Sequence, residues 1–167
     1  MKHLSVQERI RRVATRFTAC QYIFANWTQL NVALDSVDKT TICYILPPSG
    51  TITTKRAATQ FVDKPLTQIA FLAPSELDFD GEKNDCVIER LKLLICMFVK
   101  AINESGYFEM IDDEEISYQV FYDTADDNVT GLLLTLPISE DPRTICKISE
   151  DFGYQPLSDE ELKDVSR

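Results

Sequence analysis

The chain has 167 residues, of which 44% are hydrophobic and 26% are charged, a balance that is typical of a globular protein and excludes wholesale disorder. Its net charge of −10 argues against a general nucleic-acid binder, which needs a basic surface to displace counterions. The longest apolar run, Leu93 to Val99, is too short to cross a bilayer, and Met1 to Glu8 lacks the apolar core of a signal peptide. We therefore expect a soluble protein of intracellular type.

The first predicted element is a helix that begins at the capping box formed by Ser5 and Glu8. Seven apolar residues then follow at alternating steps of four and three, which places them on one face of a helix. They are Val6, Ile10, Val13, Phe17, Cys20, Phe24 and Trp27. This spacing predicts a helix over residues 5–27.

Strands are predicted in the next part of the chain. Residues 41–46 are β-branched and aromatic, and turn residues at 47–50 end this strand. Residues 51–54 are expected to continue as a second, exposed strand. Residues 55–65 hold few apolar side chains, so we expect this segment to depend on a partner for order. Another strand is predicted from Thr67 to Ala73.

A second helix is predicted over residues 85–103, and Gly106 follows it as a stop signal. Its apolar face consists of Val87, Leu91, Leu94, Ile95, Phe98 and Ile102. Residues 116–122 and 129–136 are then read as two strands, because the Asp-rich residues 123–128 between them are typical of a hairpin loop.

The predicted class is α+β, with a small antiparallel sheet packed by two main helices, an extended hairpin-like segment and a C-terminal arm. We expect residues 1–137 to form a single domain and residues 138–167 to form the acidic arm. Five apolar side chains are expected to be buried between helices and sheet: Phe17, Phe24, Leu91, Leu94 and Phe98.

The sequence holds no recognisable catalytic constellation. His3 is the only histidine, and no phosphate-binding glycine motif occurs. Glu76–Gly81 resembles the start of a calcium loop, but Val87 then occupies the position that requires a bidentate Glu. Asp123–Asn128 is explained better by turn chemistry than by a cation. We therefore expect no metal and no cofactor.

The sequence has five cysteines, an odd number, and no two are spaced as C-x-x-C. We therefore predict buried free thiols in a reducing compartment, in preference to disulfides or a metal site. They are Cys20, Cys43, Cys86, Cys96 and Cys146.

The order of elements over residues 5–137 resembles that of tail-terminator and neck (head–tail joining) proteins of tailed bacteriophages. The two helices carry this resemblance together with five other features. These are the segment Ile42–Gly50, the poorly packed segment 51–65, the strand Gln68–Leu72, the tetrapeptide Asn128–Gly131, and the closing hairpin from Tyr118–Tyr122 to Gly131–Leu136.

The resemblance implies a virion structural protein that is made in the host bacterial cytoplasm. It implies a homo-oligomeric ring, commonly of six or twelve copies, that contacts other neck or tail proteins. It implies no catalysis, no cofactor, no membrane and no sequence-specific nucleic acid.

Charge is distributed unevenly along the chain. Residues 1–16 hold five basic residues and one acid, whereas residues 104–127 hold nine acids and no base. Such opposite ends suit head-to-tail contacts between copies, although a plain solvated surface is the more common explanation. We expect residues 47–66 and the arm after 137 to be interaction elements. The predicted contact joins Lys55, Arg56 and Lys64 of one copy to Asp112, Asp113, Glu114 and Glu115 of another.

Two other functions stay open from the sequence. One is an acidic soluble decoy or inhibitor that imitates nucleic acid and occupies a basic site on another protein, which the net charge of −10 supports. The other is an enzyme of an unfamiliar type, which the missing site chemistry makes the weakest of the three.

Overall fold

The structure, a computed structural model, describes residues 4–26, 28–29, 37–47, 49–55, 60–75, 81–112, 116–122 and 128–139. Its elements in chain order are α1 (Val6–Ala14), β1 (Gln21–Ala25), β2 (Thr41–Ile45), β3 (Gly50–Lys55), β4 (Gln60–Pro65), β5 (Thr67–Pro74), α2 (Glu82–Ser105), β6 (Ser117–Phe121) and β7 (Val129–Leu136). The predicted α+β class, with two helices against a sheet, is confirmed.

Five strands form the main sheet in the order β1-β2-β5-β7-β6, while β3 and β4 pair only with each other. All neighbours in the main sheet are antiparallel except β1 and β2, which run parallel. The sheet is therefore mixed, and the prediction of a purely antiparallel sheet is wrong for this pair. A parallel pair needs a long crossover connection, and the chain between Ala25 and Thr41 is long enough to provide one.

The first helix is much shorter than the sequence predicts. It begins as expected, because the Ser5 hydroxyl accepts a hydrogen bond from the Glu8 amide at 3.2 Å. It ends at Ala14, where the Thr15 amide donates to the Arg11 carbonyl at 2.9 Å. The prediction of a helix over residues 5–27 is therefore wrong after Ala14.

Residues 21–25 form β1 instead of the end of that helix. Tyr22, Ile23 and Phe24 are aromatic or β-branched, and pairing with β2 outweighs the helical spacing of the apolar residues. Phe24 is 42% exposed and stacks on Tyr44 with ring centroids 5.4 Å apart, so its predicted burial is wrong. Phe17 is half-buried against the ring of Phe98, with centroids 5.9 Å apart.

Helix α2 runs from Glu82 to Ser105 and contains the whole predicted segment. Its ends are fixed by Gly81 and Gly106, whose positive φ angles of 77° and 64° are readily adopted only by glycine. Leu91 and Phe98 are buried as predicted, whereas Leu94 is only partly buried. Within the part of the chain that the structure describes, no helix is long and apolar enough to span a membrane.

Both helices pack on one face of the main sheet and build the larger core with it. The sheet contributes alternate residues of its central strands, namely Ile42, Tyr44, Ile69, Phe71, Leu132 and Leu134. Phe71 meets Phe98 of α2 edge to face, with centroids 5.4 Å apart. A second buried cluster lies on the opposite face, where Cys43, Ile45, Ala70 and Leu72 pack with Val37.

Arg9 joins α1 to the end of α2, although the helical spacing places it off the apolar face of α1. It is almost fully buried, and its guanidinium donates a 3.3 Å hydrogen bond to the Tyr107 carbonyl. The same group lies 5.9 Å from the Phe108 ring centroid. A buried cation beside the C-terminal end of a helix is favoured by the helix dipole and by the aromatic face.

Two side-chain clamps hold the connections at the two ends of α2. At its end, Asn103 accepts from the Ile111 amide and donates to the Ile111 carbonyl, both at 2.9 Å. At its start, the Thr130 hydroxyl lies 3.1 Å from the Asn84 side-chain oxygen and 3.0 Å from the Ser75 hydroxyl. These bonds fix α2 against β7 and fix the chain that leads towards β6.

The described chain ends beyond β7 at Ser139. Ile138 is buried in the larger core, and the Ser139 carbonyl accepts a hydrogen bond from the Glu109 amide at 2.9 Å. The first two residues of the predicted arm therefore pack on the sheet and helices. Residues 140–167 lie outside the described residues.

Candidate functional site

The strands β3 and β4 form a hairpin, which we call the β3–β4 hairpin, between the central strands β2 and β5. Gly50 pairs with Pro65 at its base, Ile52 with Asp63, and Lys55 with Gln60 at the far end. The Leu66 amide donates to the Ser49 carbonyl at 2.9 Å and closes the base. Six residues per strand correspond to an arm of about 20 Å.

Glycine suits the base of the hairpin because the two strands approach closely there. A Cβ atom at Gly50 would lie 3.1 Å from the Pro65 Cα and 3.3 Å from the Lys64 carbonyl oxygen. Since these neighbours are backbone atoms, they have little freedom to move aside. The turn signal Pro-Pro-Ser-Gly, read from the sequence as the end of a strand, therefore includes the residue that starts the hairpin.

The described side chains of β3 are exposed to solvent. Residues 51–54 are all exposed, and Ile52 is 72% exposed, more than any other large apolar side chain in the described chain. On β4, Lys64 is exposed, whereas Val62 is fully buried. The predicted strand at 51–54 is confirmed, and its partner β4 forms in a segment for which the sequence predicted little local structure.

The charged residues that the sequence selected as a contact are only partly described. Lys64 and Asp112 are exposed, and in the described ranges neither has an ion-pair partner. Lys55 contributes its backbone to β3. Arg56, Asp113, Glu114 and Glu115 lie outside the described residues. Contact between the two charged groups in different copies stays a prediction.

The strand β6 provides a second exposed surface, which sequence reasoning missed. It lies at one edge of the main sheet and pairs with β7 on one side. Its residues Ser-Tyr-Gln-Val-Phe contain no charge and no proline, the usual protections of an edge strand. Tyr118 is 46% exposed and Val120 is 38% exposed. The sequence predicted a strand at residues 116–122, but a local pattern does not indicate which strands lie at the edge of a sheet.

An apolar groove runs beside β6 on the side of the sheet where α2 packs. We call it the α2–β6 groove; it has a volume of about 390 Å³ and is lined by Lys92, Ile95, Cys96, Val99, Ile116, Tyr118 and Leu134. The Lys92 ammonium lies 5.8 Å from the Tyr118 ring centroid and 2.6 Å from a Glu89 carboxylate oxygen. The hydrogen bond that the Lys92 ammonium donates to the Glu89 carboxylate raises the pKa of Lys92. Lys92 is thus the one charged residue among the described residues that line this groove.

Side chains that could bind a metal ion do not cluster among the described residues. No group of three or more His, Cys, Asp or Glu residues is close enough there to hold a metal ion. The loops 76–80 and 123–127, which the sequence weighed as cation sites, lie outside the described residues. Cys20, Cys43, Cys86 and Cys96 carry free thiols, and burial raises the pKa of Cys43 to about 12, so that thiol is not a nucleophile near neutral pH.

Among the described residues, strands form two exposed surfaces: the β3–β4 hairpin and the edge strand β6 with its groove. No protein-family model matches the sequence, and no curated protein gives a significant match.

Proposed function

We propose that this protein is a non-enzymatic virion structural protein that forms an oligomeric ring at the neck or tail of a bacteriophage, acting through contacts between subunits. The proposal combines the resemblance in element order with the exposed surfaces of the fold. The β3–β4 hairpin is the single observation that carries it.

The energetics of the hairpin support a role in assembly. A two-stranded hairpin is marginally stable in water, because ordering each backbone residue costs about 1–2 kcal/mol. Within one chain Val62 is fully buried and offsets part of that cost, whereas the exposed side chains of residues 51–54 offset little of it. A neighbouring subunit that buries Ile52 supplies the missing stabilisation, since covering an apolar side chain of this size contributes about 1.5–3 kcal/mol.

The positions of the two surfaces support a ring over a two-fold dimer. The β3–β4 hairpin and β6 are different parts of the chain, so a contact between them is heterologous. After one such contact the pair of subunits still has one free hairpin and one free β6 edge, so further copies can add, and repetition closes a ring if the rotation between subunits permits. The sequence adds opposite charge, with Lys55, Arg56 and Lys64 in or near the hairpin and acids on both sides of β6.

Native mass spectrometry and negative-stain imaging of the purified full chain test this proposal. The expected result is a closed ring with a defined number of copies. A chain that stays monomeric at the highest concentration its solubility allows contradicts the proposal. A monomer or dimer that instead binds a DNA-binding enzyme in competition with DNA supports the acidic decoy, which the net charge of −10 favours.

A further inference from the structure

The free edge of β6 needs an occupant, and three features of the described chain identify it. We propose that the β3–β4 hairpin of one copy adds as a strand to the free edge of β6 in the next copy, and that Ile52 enters the α2–β6 groove there. This inference rests on the proposed ring and names its interface.

The first feature is backbone complementarity. Strand β6 has unpaired backbone groups along its outer edge in the described structure, and β3 and β4 each have a free edge as well. Strand addition at such edges is a common mode of protein recognition, in which backbone hydrogen bonds give affinity and pockets for alternate side chains give specificity. The β-branched sequence Thr-Ile-Thr-Thr in β3 suits such a pairing.

The second feature is apolar complementarity. Ile52 is the most exposed large apolar side chain of the described residues, and the α2–β6 groove is lined mainly by apolar atoms. The base of the hairpin lies near the start of β6 in the same chain, because both line one cleft that includes Gly50, Lys64 and Ser117. The hairpin would have to fold back on its base to lie along β6 of its own chain, so the groove of another copy is the suitable acceptor.

The third feature is charge, which distinguishes β6 from the other edge strand. The segments flanking β6, residues 104–115 and 123–127, contain acids and no base, whereas the hairpin region carries Lys55, Arg56 and Lys64 against Asp63. Strand β1 follows the basic residues 1–16 and is the less suitable acceptor. An antiparallel β6–β6 dimer would bring the two acidic flanks together, which like-charge repulsion opposes.

Three variants of the full chain, each with one apolar residue replaced by Asp, test the interface. Ile52→Asp removes the hairpin's apolar contact, Val120→Asp places a charge on β6, and Leu93→Asp is the control. Leu93 is 68% exposed and lines a different cleft, between α2 and the chain after α1. We expect Ile52→Asp and Val120→Asp each to be monomeric and Leu93→Asp to assemble like the wild type. Circular dichroism establishes that each variant is folded.

Mixing the two defective variants gives the decisive result. The Ile52→Asp chain keeps an intact β6 and the Val120→Asp chain keeps an intact hairpin, so their mixture should form a dimer and nothing larger. If the wild type is a dimer, and this dimer is abolished by Val120→Asp but not by Ile52→Asp, then two copies pair through β6. That result overturns the inference. If Val120→Asp fails to fold, the Ile52→Asp variant decides alone, because the exposed Ile52 has no core role.

A crosslinking experiment locates the contact. Cys96 lines the groove and is exposed, so Ile52→Cys should form disulfide-linked dimers and larger multimers under mild oxidation, and Cys96→Ser in the same chain should abolish them. If the ring still forms in Ile52→Asp and Ile52→Cys gives no crosslink, this interface is wrong but the proposed function is not contradicted. A wild-type chain that forms no oligomer overturns both.

Discussion

The sheet and helix α2 differ sharply from the β3–β4 hairpin in how their apolar residues are used. In the sheet and helices, Phe71, Phe98 and Leu132 are fully buried and meet partners from distant parts of the chain. In the hairpin, Ile52 is exposed, and the strands pair only with each other. The first region therefore obtains its stability from its own chain. In the hairpin, Val62 is fully buried but Ile52 is not, and the proposed ring assigns the burial of Ile52 to a neighbour. Substitutions in the sheet and helices should lower the stability of the subunit, whereas substitutions in the hairpin should weaken assembly.

The largest expected effect is in the core. Phe98→Ala removes a fully buried ring that meets both Phe17 and Phe71, and we expect it to lower the free energy of unfolding by about 3–5 kcal/mol. Chemical denaturation of the isolated subunit measures this loss. Leu94→Ala is the matched control on the same helix, and its cost should be smaller because Leu94 is only partly buried. Equal costs would contradict the assignment of Phe98 to the core.

A glycine in β7 should give the next largest effect. A Cβ at Gly131 would lie 2.5 Å from the Phe121 ring and 2.7 Å from the Phe71 carbonyl oxygen. Since the carbonyl belongs to the sheet backbone, Gly131→Ala should cost about 1–3 kcal/mol and loosen the β6 edge. Thermal unfolding measures the cost. Phe121→Ala in the same chain should recover part of it, and no recovery would show that the ring is not the obstacle.

The clamp at the end of α2 should have an intermediate effect. Asn103→Ala removes two hydrogen bonds to the Ile111 backbone, which we expect to cost about 1–3 kcal/mol. Because Asn103 fixes the chain that leads into β6, hydrogen exchange should also rise at residues 107–112. Asn103→Asp keeps the acceptor and loses the donor, so it should fall between the alanine variant and the wild type. Unchanged exchange at 107–112 would contradict the clamp.

The smallest effect on stability is expected in the hairpin. Ile52→Thr replaces an exposed side chain by one that also favours strands, so the free energy of unfolding of the isolated subunit should change by less than about 0.5 kcal/mol. Assembly should weaken nonetheless, and sedimentation measures this. Thr54→Ile, on the same face of β3, should not weaken assembly. A large loss of subunit stability in Ile52→Thr would place Ile52 in the core and remove the contrast between the two regions.

The sequence predicts regular segments well where one local pattern dominates. Helix α2 has a long apolar face and a glycine at its C-terminal end, and the structure contains the whole predicted segment. Strands β2, β5 and β7 follow from β-branched and apolar runs that end at turn residues. The exposed strand β3 is likewise predicted from its threonines and Ile52.

Prediction fails where distant parts of the chain decide the local structure. Phe17, Cys20 and Phe24 continue the spacing of a helix, yet residues 21–25 pair with β2. The burial of Arg9 depends on the end of α2, almost a hundred residues away in sequence. The α2–β6 groove depends on strand order, which no local pattern encodes. For this reason the sequence identified residues 47–66 and the acids at 112–115 as a candidate contact, but not the β6 edge or the groove beside it.

Hydrogen exchange of the β3–β4 hairpin distinguishes a hairpin that is stabilised by its own chain from one that is stabilised by a neighbour. Amides of residues 50–55 and 60–64 are compared between the isolated subunit and the assembled protein, with β5 and β7 as the internal reference. We expect fast exchange of the hairpin in the isolated subunit and strong protection after assembly, while β5 and β7 are protected in both states. Equal protection of the hairpin in the two states would contradict it, because the hairpin would then be stabilised within its own chain.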